Sequence, residues 1–239
     1  MEEIVIFGAG GFGREVAWII DDINRARADY RILGFIADNE FTRAGELLNG
    51  YPVLGGPEWL EGKKGISAAI ALGSPVSRLA VLSRLDPYGL HYPNLIHPSV
   101  VIATGVQIGE GNVVSAGCIL AVNSTISSFC QLNLHSTIGH DCVLENFATT
   151  ACGVDLAGYS HIGFGAYMGN HVTVLPSVKV GAFATVGAGA AVNRDLPPGV
   201  TAVGVPAKVI KESPVYDELK TKIPQCLASI QLRDISQKA

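Results

Sequence analysis

Residues 132–168 read LNLHSTIGHDCVLENFATTACGVDLAGYSHIGFGAYM, and every sixth position of that stretch is Leu132, Ile138, Leu144, Thr150, Leu156, Ile162 and Met168. Extended in both directions, the same column runs from Ile96 to Val192 and only Thr150 breaks it. A strict period of six matches neither the 3.6-residue turn of a helix nor the two-residue alternation of one long strand. It matches a parallel β-helix of hexapeptides, in which each hexad is a short strand plus a corner and three hexads close one triangular coil.

A second column, four residues after each aliphatic, is nearly all small or β-branched, as at Cys118, Ser124, Cys130, Ser136, Cys142, Ala148 and Val154. Crowding explains it, since so narrow an interior cannot take two bulky residues per strand. Glycine often follows the aliphatic position, at Gly109, Gly139, Gly163, Gly169, Gly181 and Gly187, and is expected there to give the corners backbone angles that a Cβ forbids. With coils stacked at about 4.8 Å, the prism stands on the order of 25 Å tall. Its interior is packed solid, so a site must lie on its outside or between copies.

The whole chain has 239 residues, 48% of them hydrophobic and 16% charged, with 28 glycines and a net charge of −4. The acidic balance excludes a phosphate-backbone binder, so nucleic acid is not an expected partner. No apolar run reaches membrane-spanning length, and Met1-Glu2-Glu3 carries acid where a signal peptide carries base. The expected location is cytoplasmic, with no membrane partner. The five cysteines form no CxxC. Cys118, Cys130 and Cys142 fall in the small inward column and read as packing residues.

Ahead of the hexads, residues 3–7 read as a buried strand, followed by Gly8-Ala9-Gly10-Gly11-Phe12-Gly13 and a helix with Val16, Ile19, Ile20 and Ile23 on one face. A second strand over residues 32–36 leads to Asp38. The spacing satisfies GxGxxG, which suits either a tight turn or backbone approach to a phosphate at a helix N-terminus. A further strand at 68–72 ends in Gly73-Ser74, ahead of a helix around 76–85. That is too short for a full dinucleotide fold, so a nucleotide-sugar role fits better than NAD. The expected organisation is a Rossmann-like α/β domain over 1–90, a β-helix over 91–211 and a polar C-terminal tail over 212–239. His97 reads as a junction residue, and Pro197-Pro198-Gly199 as the end of the hexads.

Polar residues interrupt the pattern most densely at Asn133-Leu134-His135-Ser136-Thr137-Ile138-Gly139-His140-Asp141. Consecutive strand side chains face opposite ways, so His140 and Asp141 can cooperate only where the hexad bends, and a corner is expected there. A carboxylate beside an imidazole fixes its tautomer and raises its basicity, which suits a general base; a solvated surface pair is the other reading. His135 and His171, 36 residues apart, stack two coils apart, as zinc-binding hydratases of the gamma carbonic anhydrase type arrange theirs. The place of a third ligand is taken by Pro176, which cannot bind metal, so no metal is expected. His161 reads as a surface residue.

The Gly-rich α/β half, Gly34-Phe35-Ile36-Ala37-Asp38-Asn39, the junction Asn94-Leu95-Ile96-His97, the hexads with Gly139-His140-Asp141-Cys142 and the closing Gly204-Val205-Pro206-Ala207-Lys208 together resemble the bacterial sugar O- and N-acetyltransferases of the hexapeptide-repeat type. The resemblance implies a left-handed β-helix, a homotrimer, acetyl-CoA as co-substrate and a part in glycan biosynthesis. It implies His140 as general base supported by Asp141, and acetyl-CoA between neighbouring prisms against Thr149, Gly158, Asn170 and Ala188. It implies an acceptor, a nucleotide-linked amino sugar, on Gly10, Gly11, Phe12, Asp38 and Gly73, with Asn133 carried alongside them. Phe12, Ala37-Asp38 and Thr149 stand where some members carry other residues. Direct attack needs no acyl-enzyme, and Cys142 points inward. A zinc-dependent hydratase and a non-catalytic sugar-nucleotide binder are the competing classes.

Overall fold

The computed structural model describes residues 1–37, 43–213 and 216–222. The N-terminal half is a sheet of β1 (Glu2–Phe7), β2 (Tyr30–Ile36), β3 (Leu47–Leu48), β4 (Tyr51–Gly55) and β5 (Ser67–Ile70), in the order β3-β4-β2-β1-β5. Strands β4, β2, β1 and β5 are parallel, and β3 is an antiparallel addition to β4. Helix α1 (Gly11–Ala26) covers one part of the sheet with Val16, Ile19, Ile20 and Ile23, and α2 (Pro75–Leu85) packs through Leu79, Leu82 and Leu85. The hairpin of β3 and β4 carries no alternation that the sequence pattern would reveal.

From Leu95 onward the chain is the expected prism. Two-residue strands recur every six residues and pair with the strand 18 residues on, as in Ile119↔Thr137, Thr137↔Asp155 and Asp155↔Thr173. They form three parallel sheets and wind as a left-handed β-helix. The aliphatic column is the core: Leu120, Leu132, Ile138, Leu144, Ile162, Met168, Val174, Val186 and Val192 are all shielded from solvent. Burying each such side chain contributes roughly 1.5–3 kcal/mol. Thr150 is tolerated there because its hydroxyl donates to Ser136 Oγ (3.1 Å), which itself donates to the Ala151 carbonyl (3.1 Å). Cys118, Cys130 and Cys142 point inward, as expected.

The corners correct one expectation. The left-handed residue is the third after the aliphatic, not the first, as shown by Asn123, Phe129, His135, Asp141, Phe147, Tyr159, His171, Ser177 and Phe183 at φ between 54° and 63°. Gly139 has ordinary φ and is required for another reason. A Cβ there would sit 2.5 Å from the Leu156 carbonyl oxygen and 2.9 Å from the Gly158 nitrogen of the next coil. The glycine after the aliphatic thus serves close stacking of backbone on backbone.

The left-handed positions form three columns along the three edges of the prism. One reads Gly105, Asn123, Asp141, Tyr159, Ser177 and is here termed the His140 edge. The second, Gly111, Phe129, Phe147, Gly165, Phe183, is the aromatic edge. The third, Gly117, His135, Gly153, His171, Gly189, is the Gly/His edge. The stack also continues past the prolines: Val200–Val203 pairs with the strand Thr185–Val186 at a spacing shortened to 16 residues, Thr185↔Thr201, and then turns into the antiparallel strand Lys208–Glu212.

The α/β half packs on the aromatic edge and on the adjoining side, which runs to the Gly/His edge. Phe129, Phe147, Phe164 and Phe183 form a ladder with ring centroids 5.3–5.5 Å apart, flanked by Tyr92 and Tyr216. This ladder shares a core with Phe7, Ile70, Leu82 and Leu85, while Leu95 and Val113 join the core under α1. Residues 216–222 are helical and add Leu219 to the ladder's core. Polar contacts also join the halves. His97 Nε2 meets Asp22 of α1 at 2.9 Å, which makes it the junction residue expected. Arg78 of α2 makes others, described below.

Candidate active site

At the His140 edge the chain turns through Asp141 (φ 56°), so two consecutive side chains come together. His140 Nδ1 lies 2.9 Å from Asp141 Oδ2, and Asn123 of the preceding coil reaches Asp141 Oδ1 at 3.4 Å. An ionised carboxylate only accepts, so Nδ1 carries the proton and Nε2 presents its lone pair. A Cβ on Gly158, one coil on, would sit 2.4 Å from that Nε2, so a side chain at 158 would displace the ring. The Gly158 N–H donates to no group among the described residues, whereas its carbonyl accepts from Ser177. A proton acceptor and an open backbone donor therefore lie side by side on an accessible edge. Tyr159 stands beside them, its ring perpendicular to the imidazole at 5.1 Å.

Cys142, next in sequence, is no competitor as nucleophile. It is shielded from solvent, and burial raises its thiol pKa while its Sγ contacts the Ala157 carbonyl (3.1 Å) and Ser160 Oγ (3.2 Å). A reactive cysteine needs a lowered pKa.

A second feature is a cleft of about 460 Å³ at the carboxyl ends of β1, β2 and β5. It gathers Gly10, Gly11, Phe12 and Gly73, together with Ala37, Pro57, Leu72, Val81 and Arg84. Asp38 lies outside the described residues. The turn is tight: a Cβ on Gly13 would sit 1.9 Å from the Gly8 carbonyl oxygen. Helix α1 opens at Gly10 with no side-chain cap and no acid in its first turn, so its first amides face the cleft mouth without a competing anion. Apolar walls around a helix N-terminus suit a flat base with phosphates attached.

The remaining candidates fall elsewhere. Asn133, whose Nδ2 donates to the Thr150 carbonyl (2.8 Å), and Asn170, whose Oδ1 accepts from the Cys152 N–H (3.1 Å), lie by the Gly/His edge with Ala188 one coil beyond Asn170. Thr149 is not free to touch a coenzyme. It is 1% exposed beneath α2, and Arg78 takes its hydroxyl at 2.7 Å. His135 and His171 lie over Gly117 and Gly153 two coils apart, roughly 10 Å at the usual strand spacing, beyond the reach of one ion within the chain. His161 is on the surface and pairs with Glu145 at 2.7 Å.

Arg78 is the residue that the sequence pattern hides. Fully buried, it has no carboxylate partner among the described residues, and burial pushes its pKa down to about 9. Five acceptors hold it: the carbonyls of Leu72 (2.9 Å), Gly73 (3.2 Å) and Phe147 (2.5 Å), Gln131 Oε1 (2.8 Å) and Thr149 Oγ1 (2.7 Å). Gln131 also donates to the Ile70 carbonyl at 3.0 Å. The loop that forms one wall of the cleft is thereby tied to the prism. An arginine on α2 would have been noticed only from its place on the helix's apolar face, in line with Leu82 and Leu85.

Comparison with known proteins identifies the family. Residues 3–85 match the family model of the PglD N-terminal domain. A mutant perosamine N-acetyltransferase from Caulobacter crescentus, solved with CoA and GDP-perosamine, is 32% identical, covers 88% of this chain and 97% of its own, and superposes with a TM-score of 0.79. The chain belongs to the bacterial sugar acetyltransferases. The acetyltransferase domain of PglB from Neisseria gonorrhoeae is another member of similar shape, 28% identical over 88% of this chain and 100% of that one, with a TM-score of 0.79. Among curated relatives, the galactoside O-acetyltransferase of Escherichia coli (strain K12) is 45% identical over 51 residues, 21% of this chain and 25% of that protein. A provisionally named Staphylococcus aureus (strain COL) acetyltransferase is 43% identical over 67 residues, 34% of its length. The chain thus spans about a third or less of these curated relatives.

The cleft-bearing half and His140 lie on different sides of the prism in one copy. The α/β half occupies the prism side between the aromatic and Gly/His edges, and His140 stands on the opposite edge. No helix among the described residues is long and apolar enough to cross a membrane.

Proposed function

We propose that this protein transfers the acetyl group of acetyl-CoA to an amino or hydroxyl group of a nucleotide-linked amino sugar. The observation that carries the reading is the His140–Asp141 pair with its free Nε2 beside the unused Gly158 N–H. The acceptor's nucleotide lies in the cleft of Gly10, Gly11, Phe12 and Gly73, its phosphates toward the first turn of α1. Asp38 and Asn133 remain candidate acceptor contacts, and Asn170 and Ala188 candidate coenzyme contacts.

The acceptor nitrogen or oxygen attacks the thioester carbonyl as Nε2 takes its proton, and Asp141 stabilises the imidazolium that forms. The oxyanion is held by the Gly158 N–H. Collapse expels the CoA thiolate, which recovers the proton from His140. No acyl-enzyme forms.

Since the cleft and His140 lie on opposite sides of one prism, the working site joins the cleft of one copy to the His140 edge of another, which a closed homotrimer supplies three times. The deciding experiment follows CoA thiol release with a panel of nucleotide-linked amino sugars. One acceptor in the panel should turn over, and His140→Ala should lower kcat by about 10²–10⁴. Wild-type turnover by His140→Ala would remove the reading.

A further inference from the structure

The His140 edge holds a residue of a type that its left-handed corner does not favour. Its left-handed column reads Gly105, Asn123, Asp141, Tyr159, Ser177, and four of these are the small or short polar types that tolerate positive φ. Tyr159 is the exception, a bulky aromatic at φ 61°. Aromatics also occupy that conformation on the neighbouring edge, but Phe129, Phe147 and Phe183 are at most 8% exposed, so burial in the ladder offsets their strain. Tyr159 is 61% exposed and draws no such compensation. Strain without burial gathers where function requires it.

What Tyr159 touches is His140. Its backbone N–H donates to the His140 carbonyl at 3.0 Å, and its ring stands at 89° to the imidazole with centroids 5.1 Å apart, the geometry aromatic pairs prefer. Among the described residues the imidazole's side-chain hydrogen bond is on the Nδ1 side, to Asp141. A ring more than half exposed and tethered at one atom swings about Cβ unless a second surface stops it.

We infer that Tyr159 is a positioning residue for His140: its ring is the wall that keeps Nε2 over Gly158, where the thioester carbonyl must lie. The inference rests on the proposed role of His140. A ring suffices and the hydroxyl is not needed, so the phenylalanine variant distinguishes a wall from a hydrogen-bonding group.

The test uses full-length Y159G, Y159N and Y159F, with H140A in parallel, measuring kcat, KM for acetyl-CoA and Tm. Glycine and asparagine both suit a left-handed corner, so Y159G and Y159N should melt within about 2 °C of wild type. Their kcat should fall about tenfold or more with KM for acetyl-CoA within about threefold, and Y159F should restore most of the loss. Added to H140A, Y159G should cost nothing further, because the residue acts through the imidazole. Full kcat in Y159G, a loss carried by KM alone, or a further fall in the double variant would overturn the inference. If H140A itself kept the wild-type rate, the role of His140 would be at fault instead.

Discussion

Replacing Arg78 by methionine tests whether one buried cation joins the two halves of the molecule. Methionine keeps much of the length but none of the donors, so the carbonyls of Leu72, Gly73 and Phe147, Gln131 Oε1 and Thr149 Oγ1 lose their shared partner. Hydrogen bonds to a charged group contribute about 1.5–3 kcal/mol each, which for five bonds far exceeds what is observed for such sites, because burying the guanidinium opposes them. Removing the cation leaves buried neutral acceptors unpaired at about 1–3 kcal/mol each, less the desolvation no longer required for the guanidinium, for a net cost of about 3–5 kcal/mol. At about 2–4 °C per kcal/mol for a chain of this size, Tm should fall by roughly 6–20 °C. Calorimetry should also show the endotherm splitting, as the α/β half melts ahead of a prism whose own coil-to-coil bonds are intact. Lysine, which keeps the charge but cannot reach both the cleft loop and the prism, should fall between. A double-mutant cycle with Gln131→Leu should give a coupling of about 0.5–3 kcal/mol. Melting of Arg78→Met within about 2 °C of wild type, in one transition, would refute the clamp.

Three further outcomes follow from the same geometry. Gly139→Ala drives a Cβ to 2.5 Å from the Leu156 oxygen and should cost about 1–3 kcal/mol, whereas Gly189→Ala, at φ 68° in open space, should cost only about 1 kcal/mol of backbone strain; urea titrations of both compare the two mechanisms, and equal costs would contradict them. Burial pushes the Cys130 thiol up to about 12 from an ordinary 9.0, so between those values the folded state keeps a proton that the unfolded state gives up, and stability falls as pH rises. Relative to Cys130→Ala, the wild type should lose about 1.4 kcal/mol per pH unit above pH 9, and parallel pH profiles would count against it. Finally, Gly73→Trp, which fills the cleft, and His140→Ala should each be inactive alone, yet co-refolded in equal amounts they should regain roughly a quarter of wild-type turnover if sites form between copies. No recovery from verified mixed trimers would place the whole site in one chain.

Much of the prism was legible because a single geometric constraint, one aliphatic per six residues, repeats from Ile96 to Val192 with one exception, Thr150, which a neighbouring Ser136 hydroxyl satisfies. The strand, glycine turn and helix at the N-terminus were legible for the same kind of reason, local periodicity. Glycines after the aliphatics were visible but misread, since a sequence shows that a Cβ is missing and not whether a dihedral or a neighbouring coil excludes it. Thr149 was misplaced because its burial depends on α2, about 70 residues away in sequence, folding over it. Arg78 was missed outright: a helix face shows an arginine's position, but only the assembled halves supply its five acceptors.

The remaining information lies at a period of 18 rather than six. Sampled every sixth residue, the left-handed positions mix aspartate, phenylalanine, histidine and glycine into an uninformative column. Sampled every eighteenth, they separate into an edge of polar residues with one exposed tyrosine, an edge of phenylalanines and an edge alternating glycine with histidine. The separation has physical causes. The aromatic edge must be apolar because the α/β half covers it, and the histidines of the third edge require Gly117 and Gly153 beneath them because an imidazole occupies the place of a Cβ. The edge of His140 is not covered by the chain's own α/β half, and it is there that an imidazole stacked on Gly158, its carboxylate, an unused amide and an exposed left-handed aromatic meet. That open edge is where the proposed homotrimer would bring a second copy's cleft to the His140–Asp141 pair.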